Sequence, residues 1–178
     1  ALGTIPEGSE EQAQIYSQMS LIFSRMGLHA KAATYTDEAL KIYPDNAELI
    51  IMKGHELLCQ GQYEESSELF LHALDLNADN VERSLFLIGV SMLENGHCEM
   101  SHYILRLLKD NPAIEAEVLY PYLCYCEWTL HTENFRETLA QSLAHCPQKT
   151  YEIFNLTPAQ GESADSMIER LKQLKIEN

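Results

Sequence analysis

Apolar residues return every three or four positions along most of this chain, and each run ends at a polar turn. That period is the mark of a helix with one buried face. Tyr16, Met19 and Phe23 form one such face, Ile50 and Leu57 a second, and Leu85, Ile88 and Met92 a third. The spacing predicts helices in pairs, over 9–26 and 29–43, then 46–60 and 63–76, then 81–95 and 97–109. Ser9 followed by Gln12 is a capping-box pattern and sets the first start. Gly27, Gly61 and Gly96 fall where each first helix ends, a place that often needs a left-handed backbone. Pro44 and Pro112 follow second helices, because proline cannot continue one; Ala78 holds the matching place in the middle pair.

The pairs repeat. Gly27, Ala39, Leu40, Ile42 and Asn46 recur 34 residues on as Gly61, Ala73, Leu74, Leu76 and Asn80. Gly54, Leu57, Gly61, Ser66 and Phe70 recur 35 residues on as Gly89, Met92, Gly96, Ser101 and Leu105. A helix–turn–helix unit at this period resembles the tetratricopeptide repeat family. The resemblance implies an all-α fold, an α-solenoid of helical hairpins, with units at about 13–46, 47–80 and 82–115 and a degenerate fourth at 116–147. The physical reason for stacking is that one hairpin cannot bury its apolar face alone. Small residues let the two helices of a unit approach: Ser20, Gly54 and Gly89 on the first helix, Ala32, Ser66 and Ser101 on the second.

The ends depart from the pattern. Residues 1–8, with Gly3, Pro6 and Gly8, read as a flexible leader, and the repeats occupy 9–147. In the fourth unit a helix over 113–131 holds Pro121, expected to kink it or to mark its true start. Phe135 opens a shorter helix to His145, and Pro147 ends it. Tyr120, Tyr122, Tyr125 and Trp128 are expected to fill the core of this terminal unit. Residues 148–178 form a C-terminal extension with a short helix over 150–155, a loop over 157–163 and a last helix over 164–176. Met167, Ile168, Leu171 and Leu174 make one stripe on that helix, suited to capping the stack or, as an alternative, to docking a second copy of the chain or another protein.

Composition narrows the function. With 27 acidic and 12 basic residues the net charge is −15, which repels nucleic acid phosphate and anionic lipid surfaces. No apolar run reaches the length that spans a bilayer. Five cysteines, an odd number at irregular spacing, make no disulfide framework and lean towards a reducing, cytoplasmic setting. His97, Cys98 and His102 come nearest to a metal-ligand grouping, without a second pair. There is no phosphate loop, serine elbow or His-Glu-x-x-His helix, so the sequence points to no enzyme and no cofactor.

Resemblance to the family also implies a groove, lined by the first helices, that holds a peptide or a helix of a protein partner. Carried over by the repeat, its lining is Gln14, Ser17, Leu21 and Ser24, then Glu48, Ile51, His55 and Leu58, then Arg83, Phe86, Val90 and Leu93, then Tyr120, Leu123 and Glu127. A family subgroup clamps a partner's terminal carboxylate with lysines, asparagines and an arginine; here those places hold Ser17, Leu21, Met52 and Leu87, and only Arg83 supplies a suitable charge, so the clamp is absent. The expectation is a non-enzymatic interaction module. The alternatives are a chaperone like those of type III secretion, or a structural segment of a larger assembly that uses its ends or its last helix.

Overall fold

The computed structural model describes residues 6–177, with side chains through residue 174. Residues 1–5 of the expected leader lie outside the described residues; Pro6 to Gly8 form a turn into the first helix. The described residues hold ten α-helices, one 3-10 turn (Ala78–Asn80) and no strand. In order these are α1 (Glu10–Arg25), α2 (His29–Ile42), α3 (Ala47–Cys59), α4 (Tyr63–Leu76), α5 (Val81–Glu94), α6 (Cys98–Leu107), α7 (Ala116–Thr129), α8 (Phe135–His145), α9 (Pro147–Ile153) and α10 (Ala164–Glu177). The fold is all-α and made of the helical hairpins that the repeat implies.

Local chemistry sets the helix ends. Ser9 Oγ accepts the Gln12 N–H at 3.2 Å, while the Gln12 side chain accepts from the Gly8 N–H, one residue ahead of the usual box. Asn46 caps α3 by accepting from the Leu49 N–H at 3.0 Å. Gly27, Gly61 and Gly96 take φ of 72°, 76° and 79°. Beside them the Leu28, Gln62 and His97 N–H groups each reach back five residues, to the Phe23, Leu57 and Met92 carbonyls at 2.9 Å. This is the glycine-ended helix stop, which satisfies carbonyls the helix leaves open. The fourth unit makes the same stop without glycine: His131 has φ 54° and the Thr132 N–H bonds the Glu127 carbonyl at 3.0 Å.

The chain divides into two compact units between Ser91 and Met92, inside α5. In the first, α1 packs on α2, α2 on α3 and α3 on α4. Ser20 and Thr36, both fully buried, share a hydrogen bond of 2.7 Å across the first pair. In the second pair Ser66 Oγ donates to the Gly54 carbonyl at 2.7 Å, and the Phe70 ring lies over Gly54. Between the pairs His29 Nδ1 meets Glu56 Oε2 at 2.9 Å and Lys53 Nζ meets Asp37 Oδ1 at 2.7 Å.

The second unit departs from the sequence expectation twice. Pro121 neither starts nor ends α7; the helix begins at Ala116 and runs through it, with Pro121 buried. One lost N–H is offset by packing. Pro147 does not merely end α8. It is the first residue of α9, where a missing N–H costs nothing. The last helix caps this unit: Met167 and Leu171 are buried with Cys124, Phe135, Leu139, Tyr151 and Phe154. Leu174 is exposed, so the stripe is mostly covered within the unit. A polar latch holds the loop before α10. Glu162 Oε2 accepts from Arg170 Nη1 at 2.7 Å and from the Tyr151 hydroxyl at 2.8 Å, and Arg170 Nη2 donates to the Thr157 carbonyl at 3.0 Å.

Two outcomes follow from this packing. A Cβ added at Gly54 would meet Phe70 Cε1 at 2.6 Å. Overpacking of this kind costs ~1–3 kcal/mol, against a helix-propensity gain of about 1 kcal/mol for alanine. Gly54→Ala is therefore expected to lower stability in urea melts, and Phe70→Leu beside it to recover part of the loss. At the latch, burial pushes the Glu162 pKa up, but Arg170, Tyr151 and Ser166 outweigh it and hold the carboxyl below its usual value of 4.5. A depressed carboxylate stabilises the fold above the usual value and loses that contribution as the pH falls through its own. Acidification below 4.5 should loosen the α10 docking, read by fluorescence of Trp128, which packs 5.0 Å from Phe135. Glu162→Gln should flatten that acid dependence.

Candidate functional site

The first unit carries an open cleft of about 590 Å³ between α1 and α3. Gln14, Ser17 and Gln18 line it from α1, Glu48 and Met52 from α3, and Tyr43 stands at the turn between the pairs. Glu10, in the acidic first turn of α1, adds a second carboxylate beside Glu48. The surface is polar at the rim and apolar at the back, where Leu49 and Met52 sit.

Two of the residues singled out from sequence, Ser17 and Glu48, meet in this cleft, and Leu21 lies one turn beyond Ser17 and is exposed. Arg83 lies on α5 and bonds Glu48 through Nε at 2.5 Å, so its guanidinium joins the second pair to α5. That hydrogen bond is also the main cause that raises the Arg83 pKa. His55 is held between α3 and α5: Nδ1 is 2.9 Å from Ser91 Oγ, and Nε2 is 3.5 Å from Cys59 Sγ. Phe86 and Val90 are half-buried on α5.

Five expected lining residues are corrected by burial. Ile51 and Leu58 are inside the first unit, because their spacing on α3 is also that of its buried stripe. Tyr120, Leu123 and Glu127, all expected in the groove, are inside the second unit. The Tyr120 ring stacks on the His145 imidazole at 6.1 Å and its hydroxyl donates to Asp110 Oδ1 at 3.4 Å; burial, then Asp110, pushes its pKa up. Glu127 is fully buried. Its Oε1 accepts from Arg106 Nη1 at 3.1 Å and lies 3.6 Å from His102 Nε2, while Oε2 has no hydrogen-bond partner among the described residues. The sequence signal for this pair was an acid at an apolar position of α7, with a basic residue on the helix before it.

Two of the five thiols, Cys124 and Cys126, are buried on α7. Burial pushes Cys126 up to about 11, although the Ser101 hydroxyl 3.4 Å away pulls the other way, and burial raises Cys124 further still. A thiol held above its ordinary pKa stays protonated and unreactive at neutral pH. Among the described residues no three His, Cys, Asp or Glu side chains are grouped to hold a metal ion. No helix there is long and apolar enough to cross a membrane.

Arg106→Leu should test the buried carboxylate. Breaking a fully buried ion pair costs about 3–5 kcal/mol. The Arg106 side chain is 40% exposed, so solvent screening lowers the expected loss to about 1–3 kcal/mol. Glu127→Leu in the same chain should return most of it in urea melts; an equal loss in the double variant would show that packing, not charge, is at stake.

Residues 13–46 and 47–80 each match the profile of the tetratricopeptide repeat family. Human tetratricopeptide repeat protein 7A is 27% identical over 93 residues, 52% of this chain and 11% of that protein. The chain thus spans about a tenth of the length of that relative. A solved structure described as "Crystal structure of MamA protein" superposes with a TM-score of 0.50 at 13% identity, covering 93% of this chain and 88% of the other. At that identity the likeness speaks for the fold alone.

Proposed function

We propose that this tetratricopeptide-repeat protein is a non-enzymatic interaction module that holds a segment of a protein partner in the cleft between α1 and α3. The observation that carries the reading is the cleft itself: open, about 590 Å³, and lined by Gln14, Ser17, Gln18 and Glu48 around Leu49 and Met52. Amide and hydroxyl groups there suit the backbone of an extended segment or the polar edge of an amphipathic helix. Leu49 and Met52 offer an apolar contact. Glu10 favours a partner that brings lysine or arginine, whereas Glu48 is already paired with Arg83. The net charge of −15 acts in the same sense over a longer range by steering basic partners inward. The missing carboxylate clamp agrees with this sign, since an acidic chain end would meet Glu10 at the rim.

Ser17→Arg fills the cleft from a half-buried position whose hydroxyl bonds only the Ala13 carbonyl of its own helix, at 3.0 Å. Partners captured by the wild-type chain from lysate of its source organism would be identified and titrated against both proteins. The expected result is at least a tenfold weaker Kd for Ser17→Arg with an unchanged circular dichroism spectrum. Equal affinity would place the interface elsewhere.

A further inference from the structure

Three side chains on two helices of the first unit touch in series. His55 and Cys59 stand one turn apart on α3, and His55 Nε2 lies 3.5 Å from Cys59 Sγ. The other ring nitrogen, Nδ1, lies 2.9 Å from Ser91 Oγ on α5. Ser91 is buried, whereas His55 and Cys59 are partly exposed. Glu56, next to His55 in sequence, is turned towards α2 instead and meets His29 at 2.9 Å. The imidazole therefore stands between a hydroxyl and a thiol. The repeat does not require this series: the places of His55 and Cys59 hold Leu21 and Arg25 on α1, and Val90 and Glu94 on α5.

Its place on α3 bears on access. Successive turns present Glu48, Met52, His55 and Cys59 along one side of the helix. Glu48 and Met52 line the cleft, so the thiol lies on the cleft-lining side and is partly exposed. A nucleophile within reach of a base, with the base held by a third group, is the arrangement that activates a weak nucleophile. Where Ser91 Oγ accepts from Nδ1–H, Nε2 is left as the acceptor, and Nε2 is the atom that faces the thiol. The species that attacks a disulfide is the thiolate, so a base at this distance sets the rate.

We infer that Cys59 is a modification site for small-molecule disulfides, with His55 as the base that takes its proton and Ser91 as the group that positions the base. The Cys59 S–H proton passes to His55 Nε2. The thiolate attacks one sulfur of the disulfide, whose S–S bond breaks as the bond to Cys59 Sγ forms. The departing sulfur leaves as a thiolate and takes the proton from the imidazolium. Cys59 is thereby oxidised to a mixed disulfide, and the other half of the reagent is reduced to a thiol. Cys98 and Cys146 serve as internal controls. Both are partly exposed, and among the described residues neither thiol makes a hydrogen bond.

Oxidised glutathione added to the full chain, with peptide mass spectrometry to time each cysteine, tests the site. Cys59 should be labelled at least tenfold faster than Cys98 and Cys146. His55→Gln should slow Cys59 at least tenfold and leave the Cys98 and Cys146 rates unchanged, which a variant that only loosened the fold could not do. Ser91→Ala should slow Cys59 alone by several-fold, and Ser91→Thr, which keeps the hydroxyl, should recover the rate. Labelling of Cys59 no faster than that of Cys98 and Cys146 would overturn the inference, as would a Cys59 rate indifferent to His55→Gln.

Discussion

The structure depends on how closely two helices can approach where one residue is small. At Gly54 the Phe70 ring occupies the volume a side chain would need, and Ser66 donates to the Gly54 carbonyl. The same site in the first pair is not empty but polar: Ser20 and Thr36 share a buried hydrogen bond. Both solutions bring backbones together, one by removing atoms and one by pairing hydroxyls. Each leaves the pair with an outer face still uncovered, and that unmet burial is what forces hairpin to stack on hairpin.

Much of this was legible from the chain because it is set by local chemistry. The three glycine stops have an L-residue penalty elsewhere and a clear backbone reason, so Gly27, Gly61 and Gly96 mark helix ends to the residue. His131 makes the same stop with a side chain, which is why the fourth unit reads as degenerate although its backbone is not. Pro121 misled for the opposite reason. A local rule against proline lost to tertiary burial, a term that sequence spacing does not contain.

The candidate site was less legible than the fold. A period tells which residues share a helix face, not whether another helix covers that face. Ile51 and Leu58 share a face with Glu48 and His55, yet the first two are inside and Glu48 is outside. Glu127 shows the limit more sharply. The repeat placed it on an open groove, but Arg106, which lies on α6, supplies the compensation that lets a carboxylate sit fully buried. Pairing across elements decides such cases, and only coordinates carry it. Tyr43, at the turn that closes the cleft, was missed because turn residues follow no helical period.

Repetition turns burial into a comparison that single-domain folds do not offer. Equivalent positions of successive repeats are buried by different residues, Leu49, Ser84 and Leu119 at one place and Glu56, Ser91 and Cys126 at another. Leu49 and Glu56 show what such positions look like when a preceding helix covers them. Chemistry adds direction to the comparison. The covered face tolerates Lys53 and Glu56 because α2 answers them with Asp37 and His29. On α1, Gln14 and Ser17 turn towards the cleft.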